Sequence, residues 1–206
     1  MTPAKRALDL GLALLLGIAL APLLAALLVV LAVTEGRPLF YVSERMRGPD
    51  RAFGLIKLRT MPVGADRVGG VTGGDKQQRM SRMHRLLRRT RADEIPQLWN
   101  VILGDMSLVG PRPPLRRYVE DYPQLYTAVL QSRPGITGLA SLTFHAHEER
   151  LLAACTTPEE TDAVYRRRCI PAKARLDLIY ARRRTLCWDL VLIGQTAQKP
   201  FRRSQT

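Results

Sequence analysis

Residues 10–33 are 24 consecutive positions without a charge. A run this long and apolar reaches the length of a membrane helix. Lys5 and Arg6 supply the basic start of a signal peptide, but the apolar stretch exceeds an ordinary signal-peptide core. One straight helix over the run would measure about 36 Å and could cross a hydrocarbon core of about 30 Å. Pro22 divides it. The halves, residues 10–21 and 23–33, would measure only about 18 and about 16 Å. Proline removes a backbone donor and clashes with the preceding turn, so a kink is expected there. Lys5 and Arg6 precede the run; Arg37, Arg45, Arg47 and Arg51 follow it. Basic flanks on both sides give no preferred direction across a bilayer. A helix–break–helix hairpin that enters and leaves one leaflet resolves this conflict. A kinked spanning helix stays open, because membrane helices tolerate proline.

The remainder is basic. The chain has 206 residues and a net charge of +14. Lys5, Arg6, Asp9 and Glu35 cancel within residues 1–36, so the net charge falls on residues 37–206. We divide the chain there. An apolar content of 46% excludes a disordered chain. Cys155, Cys169 and Cys187, with His84, His145 and His147, show no metal-ligand spacing. Sparse, odd-numbered cysteines suit a reducing compartment and exclude a disulfide scaffold.

Apolar periodicity predicts a mainly helical fold with a few short strands. Residues 40–42 and 53–57 read as a small hairpin around a turn at 45–50. Residues 64–74 are glycine-rich and read as a mobile loop, without a nucleotide-binding pattern. Helices are expected at 78–89, 96–103, 118–131, 148–155, 159–168, 172–184 and 186–197. The first is amphipathic. Met80, Met83, Leu86 and Leu87 lie on one side and Arg79, Arg82, Arg85 and Arg89 mostly on others, which suits a core helix or one lying on an anionic membrane. No alternation of strand and helix appears, so a doubly wound sheet is not expected.

The chemistry concentrates at Arg88-Arg89-Thr90-Arg91-Ala92-Asp93-Glu94-Ile95-Pro96-Gln97. Two adjacent carboxylates sit among four arginines ahead of a helix. Helix capping explains a carboxylate there, and Thr90 to Asp93 has capping-box spacing. Capping does not explain the arginines. A carboxylate can also attack phosphorus and form an acyl phosphate. Such a nucleophile needs cations to neutralise the phosphates, and arginine binds phosphate bidentately. A divalent ion can bridge carboxylate and phosphate, and a second carboxylate can act as a base.

Further strings occur in order: Lys57-Leu58-Arg59-Thr60-Met61, Asp93-Glu94-Ile95-Pro96-Gln97-Leu98-Trp99-Asn100-Val101, Gly104-Asp105-Met106-Ser107-Leu108-Val109-Gly110-Pro111-Arg112-Pro113 and Arg133-Pro134-Gly135-Ile136-Thr137-Gly138. The set resembles the bacterial sugar transferases, small monotopic polyprenol-phosphate phosphoglycosyl transferases. The resemblance implies a re-entrant membrane hairpin over residues 1–36, broken at Pro22. It implies a compact cytoplasmic transferase domain over 37–206, with interfacial amphipathic helices. It implies transfer of a phospho-sugar from a nucleoside diphosphate sugar, usually a UDP-sugar, to polyprenol (undecaprenyl) phosphate with release of UMP. By the same resemblance Asp93 is the nucleophile in ping-pong kinetics and Glu94 its dyad partner. Arg88 and Arg112 are phosphate-side arginines, Lys57 and Arg59 a Lys-x-Arg motif on the substrate side, and Mg2+ the cofactor, with Asp93 as its contact. The implied place is the cytoplasmic face of the bacterial inner membrane, on anionic phospholipid. Oligomeric state is not legible, and a homodimer is left open. Ala92, Arg91 and His84 depart from the family's usual residues. So does the stretch Leu139-Ala140-Ser141-Leu142-Thr143-Phe144 with Glu148-Glu149, and these departures leave the sugar open.

Two readings of other classes compete. A basic chain can bind nucleic acid, but aromatic content is 6% and no binding motif appears, so no nucleic-acid partner is expected. A membrane scaffold without activity would not need the Asp93-Glu94 pair and Arg112.

Overall fold

The computed structural model describes residues 1–61 and 81–202, with side chains through residue 198. The glycine-rich stretch at 64–74 and the first residues of the expected helix at 78–89 lie outside the described residues. Helix dominates, and the strands are few.

Helix α1, Pro3–Thr34, contains the whole apolar run. The Thr2 side chain accepts from the Lys5 amide and Pro3 occupies the first turn, both favourable helix starts. The helix continues through Pro22, so the two expected short helices are one element with a proline inside it. One lost amide donor does not end a helix whose flanking turns are apolar and well bonded. One stripe of α1 faces the rest of the protein. Lys5, Asp9, Ala13 and Leu31 are buried along it, and Leu20, Leu24 and Leu28 are packed beside core residues. The other faces are apolar and open: Leu15, Ile18, Val29 and Val33 are 63–81% exposed.

Strands β1, Phe40–Gly48, and β2, Arg51–Leu58, pair antiparallel, with Tyr41 opposite Lys57, Ser43 opposite Leu55 and Arg45 opposite Phe53. The hairpin is longer than expected. Met46 is buried, so residues 45–48 stay in the strand and the turn falls at Pro49 and Asp50. Ser43, Phe53 and Leu55 are buried while Phe40 and Val42 are exposed, which identifies the inner face.

Helix α2, Arg82–Thr90, starts on Ser81, whose side chain accepts from the His84 amide. A single 3-10 turn, Ala92–Glu94, leads into α3, Gln97–Leu103, which stops at Gly104 with a φ of 89°. The buried Asn100 side chain completes the free edge of β2. Its Oδ1 accepts from the Ile56 amide at 3.0 Å and its Nδ2 donates to the Gly54 carbonyl at 2.8 Å.

Strands β3, Ser107–Val109, and β4, Gly135–Thr137, form a parallel pair that sequence reading missed, since three residues carry no periodic signal. The backbones cross closely just beyond them. A Cβ on Gly110, Gly135 or Gly138 would meet backbone atoms at 2.1 Å, which only glycine avoids. The expected helix at 118–131 divides into α4, Arg116–Asp121, and α5, Pro123–Val129. Pro123 forces Tyr122 out of the helical region. Helices α6, Leu139–Thr143, α7, His145–Ala153, and α8, Pro158–Val164, follow. A π turn, Tyr165–Cys169, joins α8 to α9, Ile170–Arg183, and α10 is Leu186–Arg202.

The main core gathers Leu98, Val101, Met106, Val109, Tyr180 and Leu192. A buried polar chain ties α1 into it. Lys5 Nζ donates to Asp189 at 2.7 Å, Tyr180 donates to Asp189 at 2.6 Å, and Asp9 accepts from Ser107 Oγ and the Leu108 amide. At the other end, Leu31 packs with Leu58 and Leu87.

Candidate active site

Asp93 and Glu94 lie on the 3-10 turn and not on a helix. Arg91 adopts a left-handed φ of 61° that ends α2 and turns the chain into it. Neither carboxylate caps α3, which begins at Gln97. The Thr90 hydroxyl donates to the Leu86 and Leu87 carbonyls, so no capping box forms. The capping account therefore fails for both acids.

Their environments differ. Asp93 is 7% exposed, and its buried Oδ1 has no hydrogen-bond partner among the described residues. Burial, with the Glu94 charge beside it, pushes its carboxyl up to about 6, although Lys57, Arg88 and Arg91 pull the other way. Burial also acts on Glu94, but Arg112 and Arg91 outweigh it and hold this carboxyl below its ordinary value. Arg112 Nη2 lies 3.3 Å from Glu94 Oε1, and Arg91 Nη1 lies 3.3 and 3.4 Å from the two Glu94 oxygens. An unsatisfied buried carboxylate oxygen is costly in a native fold and calls for a partner.

The sequence-predicted cations divide into two groups. Lys57 comes from the inner face of β2 and stands 5.4 Å from the centre of the Tyr41 ring. Burial lowers its ammonium to about 8, with Arg45 and Arg112 adding repulsion. Arg88 donates to Thr60 Oγ1 at 2.9 Å, and its charge acts on Asp93. Arg112 follows β3 and the glycine crossing, which aims it at Glu94. Arg59 is placed apart. Its Nη2 donates to the Glu35 and Gly36 carbonyls at 2.8 and 2.9 Å, so it fastens the C-terminal end of α1.

Several residues at the site escaped sequence reading. Arg45 shares the inner hairpin face with Lys57. Lys173 Nζ bonds Glu148 at 3.1 Å and Tyr165 at 3.3 Å, and the charges of Glu148 and Tyr165 reach Arg112. Arg91 also meets His145 at 3.1 Å. Strand alternation could have found Arg45 once the register was known; no periodic signal marks the others.

Among the described residues, no group of three or more His, Cys, Asp or Glu could hold a metal. The donor set still fits magnesium. That ion keeps waters and commonly takes one or two carboxylates plus substrate phosphates, and the orphaned Asp93 Oδ1 offers one such ligand.

Comparison with known proteins identifies the family. The model of the bacterial sugar transferase family matches residues 1–203. A UDP-glucose:undecaprenyl-phosphate glucose-1-phosphate transferase of Caulobacter vibrioides is 38% identical over 142 residues, covering 67% of this chain and 53% of that protein. A UDP-N-acetylgalactosamine-undecaprenyl-phosphate N-acetylgalactosaminephosphotransferase of Aeromonas hydrophila is 33% identical, covering 67% of this chain and 33% of that protein. A second glucose-1-phosphate transferase, from Xanthomonas campestris, is 32% identical over 94% of this chain and 38% of its own length. The chain thus spans about a third to about half of these relatives. With the family match running from the apolar helix α1 through the carboxylate pair to α10, this chain belongs to the bacterial sugar transferases.

Proposed function

We propose that the protein transfers a phospho-sugar from a UDP-sugar to polyprenol phosphate by double displacement at Asp93. The observation that carries this reading is Asp93 itself: a buried carboxylate with one unpartnered oxygen, ringed by Lys57, Arg88 and Arg91. In the first step an Asp93 oxygen attacks the sugar-bearing phosphorus. An O–P bond forms, the bond to the bridging oxygen breaks, and UMP leaves with the electron pair. In the second, an oxygen of the lipid phosphate attacks the same phosphorus and Asp93 departs as carboxylate. A dianionic lipid phosphate needs no base. Glu94, paired with two arginines, suits the anchoring of Arg112 better than proton transfer. Asp93 and the diphosphate oxygens would hold a magnesium ion, which supplies charge neutralisation at the phosphates.

The membrane reading rests on α1. Both of its ends dock on the same body, through Lys5 and Asp9 at one end and Leu31 and Arg59 at the other. A spanning helix separates its ends by the bilayer, so we read residues 1–36 as a re-entrant segment bent at Pro22. Residues 37–206 then form a domain on the cytoplasmic face of the bacterial inner membrane. Trp99 and Leu103 on α3 and Leu190 and Val191 on α10 are about half exposed and extend the apolar surface of α1. The basic remainder suits anionic phospholipid.

The test is UMP release from a panel of UDP-sugars with undecaprenyl phosphate and magnesium. Lipid-dependent turnover with one sugar is expected, lost by a factor on the order of 1,000 or more in Asp93→Asn, as removal of a covalent nucleophile entails. No turnover with any sugar favours the scaffold reading, and full activity in Asp93→Asn refutes the mechanism.

A further inference from the structure

Among the described residues, Arg45 is a cation with no acid to explain it. It lies on the inner face of the hairpin, four register pairs, or two same-face positions, from Lys57. Its Nε donates to Ser43 Oγ at 3.3 Å, and its Nη1 to the Pro113 carbonyl at 3.4 Å. Both partners are neutral, and among the described residues no carboxylate lies within ion-pair distance of it. The Pro113 contact places it one residue from Arg112. Burial lowers its guanidinium to about 10, and the Arg112 charge adds to the effect. The fold therefore holds two guanidiniums and the Lys57 ammonium together against their mutual repulsion, and among the described residues Glu94 is the only acid bonded to them. Such an excess of positive charge is stabilised by an anion with several acceptor oxygens.

The order of groups says where that anion sits. Arg88 acts on Asp93, on the side where Arg59 fastens α1. Arg112 bonds Glu94, and Arg45 lies beyond it, toward Tyr165. Displacement at phosphorus is in line. The group that leaves when Asp93 attacks, and the group that later expels Asp93, both occupy the position opposite Asp93. In a double displacement these are two phosphomonoesters: the nucleoside monophosphate and the lipid phosphate.

We propose that Arg45, with Arg112 and Lys57, forms one phosphomonoester subsite opposite Asp93, used first by the leaving nucleotide and then by the lipid acceptor. This inference rests on the double-displacement reading above. It predicts that one side chain governs the affinity of two chemically unlike substrates through the phosphate they share.

Arg45→Met and Arg45→Lys are the test, in the full-length protein in nanodiscs. UMP and, separately, inorganic phosphate are titrated calorimetrically into Asp93→Asn with and without Arg45→Met. The KM for undecaprenyl phosphate is measured in the Asp93 background. The expected result is a loss of about 10–100-fold in UMP affinity and a matching rise in the lipid KM, both partly restored by lysine. Melting should be unchanged or raised, since a repelled cation is removed. A folded Arg45→Met protein with both values unchanged overturns the proposal. A change in only one of them overturns the shared subsite and assigns Arg45 to that substrate alone. If the wild type forms no covalent adduct, double displacement falls, while the UMP titration still decides whether Arg45 binds phosphate.

Discussion

At the residue scale, the informative contrast is between two neighbouring carboxylates. Asp93 is buried with an unpartnered oxygen, and Glu94 is held by Arg91 and Arg112. Their proton affinities move apart, which is how adjacent acids acquire different tasks. The cost of Asp93 falls on stability. Its carboxyl is raised from 3.8 to about 6, so the folded state favours the protonated form. That contribution is complete below pH ~4 and is lost as pH rises through about 6. Asp93→Asn cannot ionise and escapes the loss. Its melting temperature should exceed that of the wild type at pH 7 by an amount on the order of 2–3 kcal/mol in stability, and the gap should close by pH 4. Thermal melts from pH 4 to 8 check this; a gap that does not vary with pH would contradict it. The pair was legible in the sequence because adjacent acids among arginines are chemically unusual. Arg45 was legible only as a basic flank of the apolar run, because its place on the same inner face as Lys57 depends on the register.

At the element scale, α1 decides how the protein meets a membrane. Its length and apolar character were legible, and so was Pro22 within it. Its continuity through Pro22 was not, since the neighbouring turns supply enough bonding to carry the helix past one missing donor. Docking of both ends was also invisible, because it depends on the distant Asp189, Leu58 and Leu87. The β3–β4 pair was hidden for a related reason: its strength lies in glycine-mediated contact between two segments, not in local propensity. If α1 is re-entrant, cysteines introduced as Thr2→Cys and Arg37→Cys react with an impermeant maleimide from the same side of sealed vesicles. The exposed native Cys187 marks the side of the folded domain, and Cys155 and Cys169 are buried. Labelling of positions 2 and 37 from opposite sides would establish a spanning helix instead.

At the scale of the whole molecule, the fold joins an apolar helix to a cationic site through shared strands. Asp9 holds β3, β3 leads through Gly110 to Arg112, and Arg112 holds Glu94. Arg59, on the motif that supplies Lys57, holds the far end of α1. The proposed function needs a site built this way, one that a water-soluble nucleotide and a lipid phosphate can both reach. Under the proposed double displacement, covalent capture would let the first product leave before the second substrate reacts. The most direct measurement is the intact mass of the protein after incubation with its UDP-sugar and magnesium in the absence of lipid. The account predicts an increase equal to one phospho-sugar, absent in Asp93→Asn and discharged by undecaprenyl phosphate. UMP release that begins only when lipid is present, with the protein mass unchanged throughout, would contradict it.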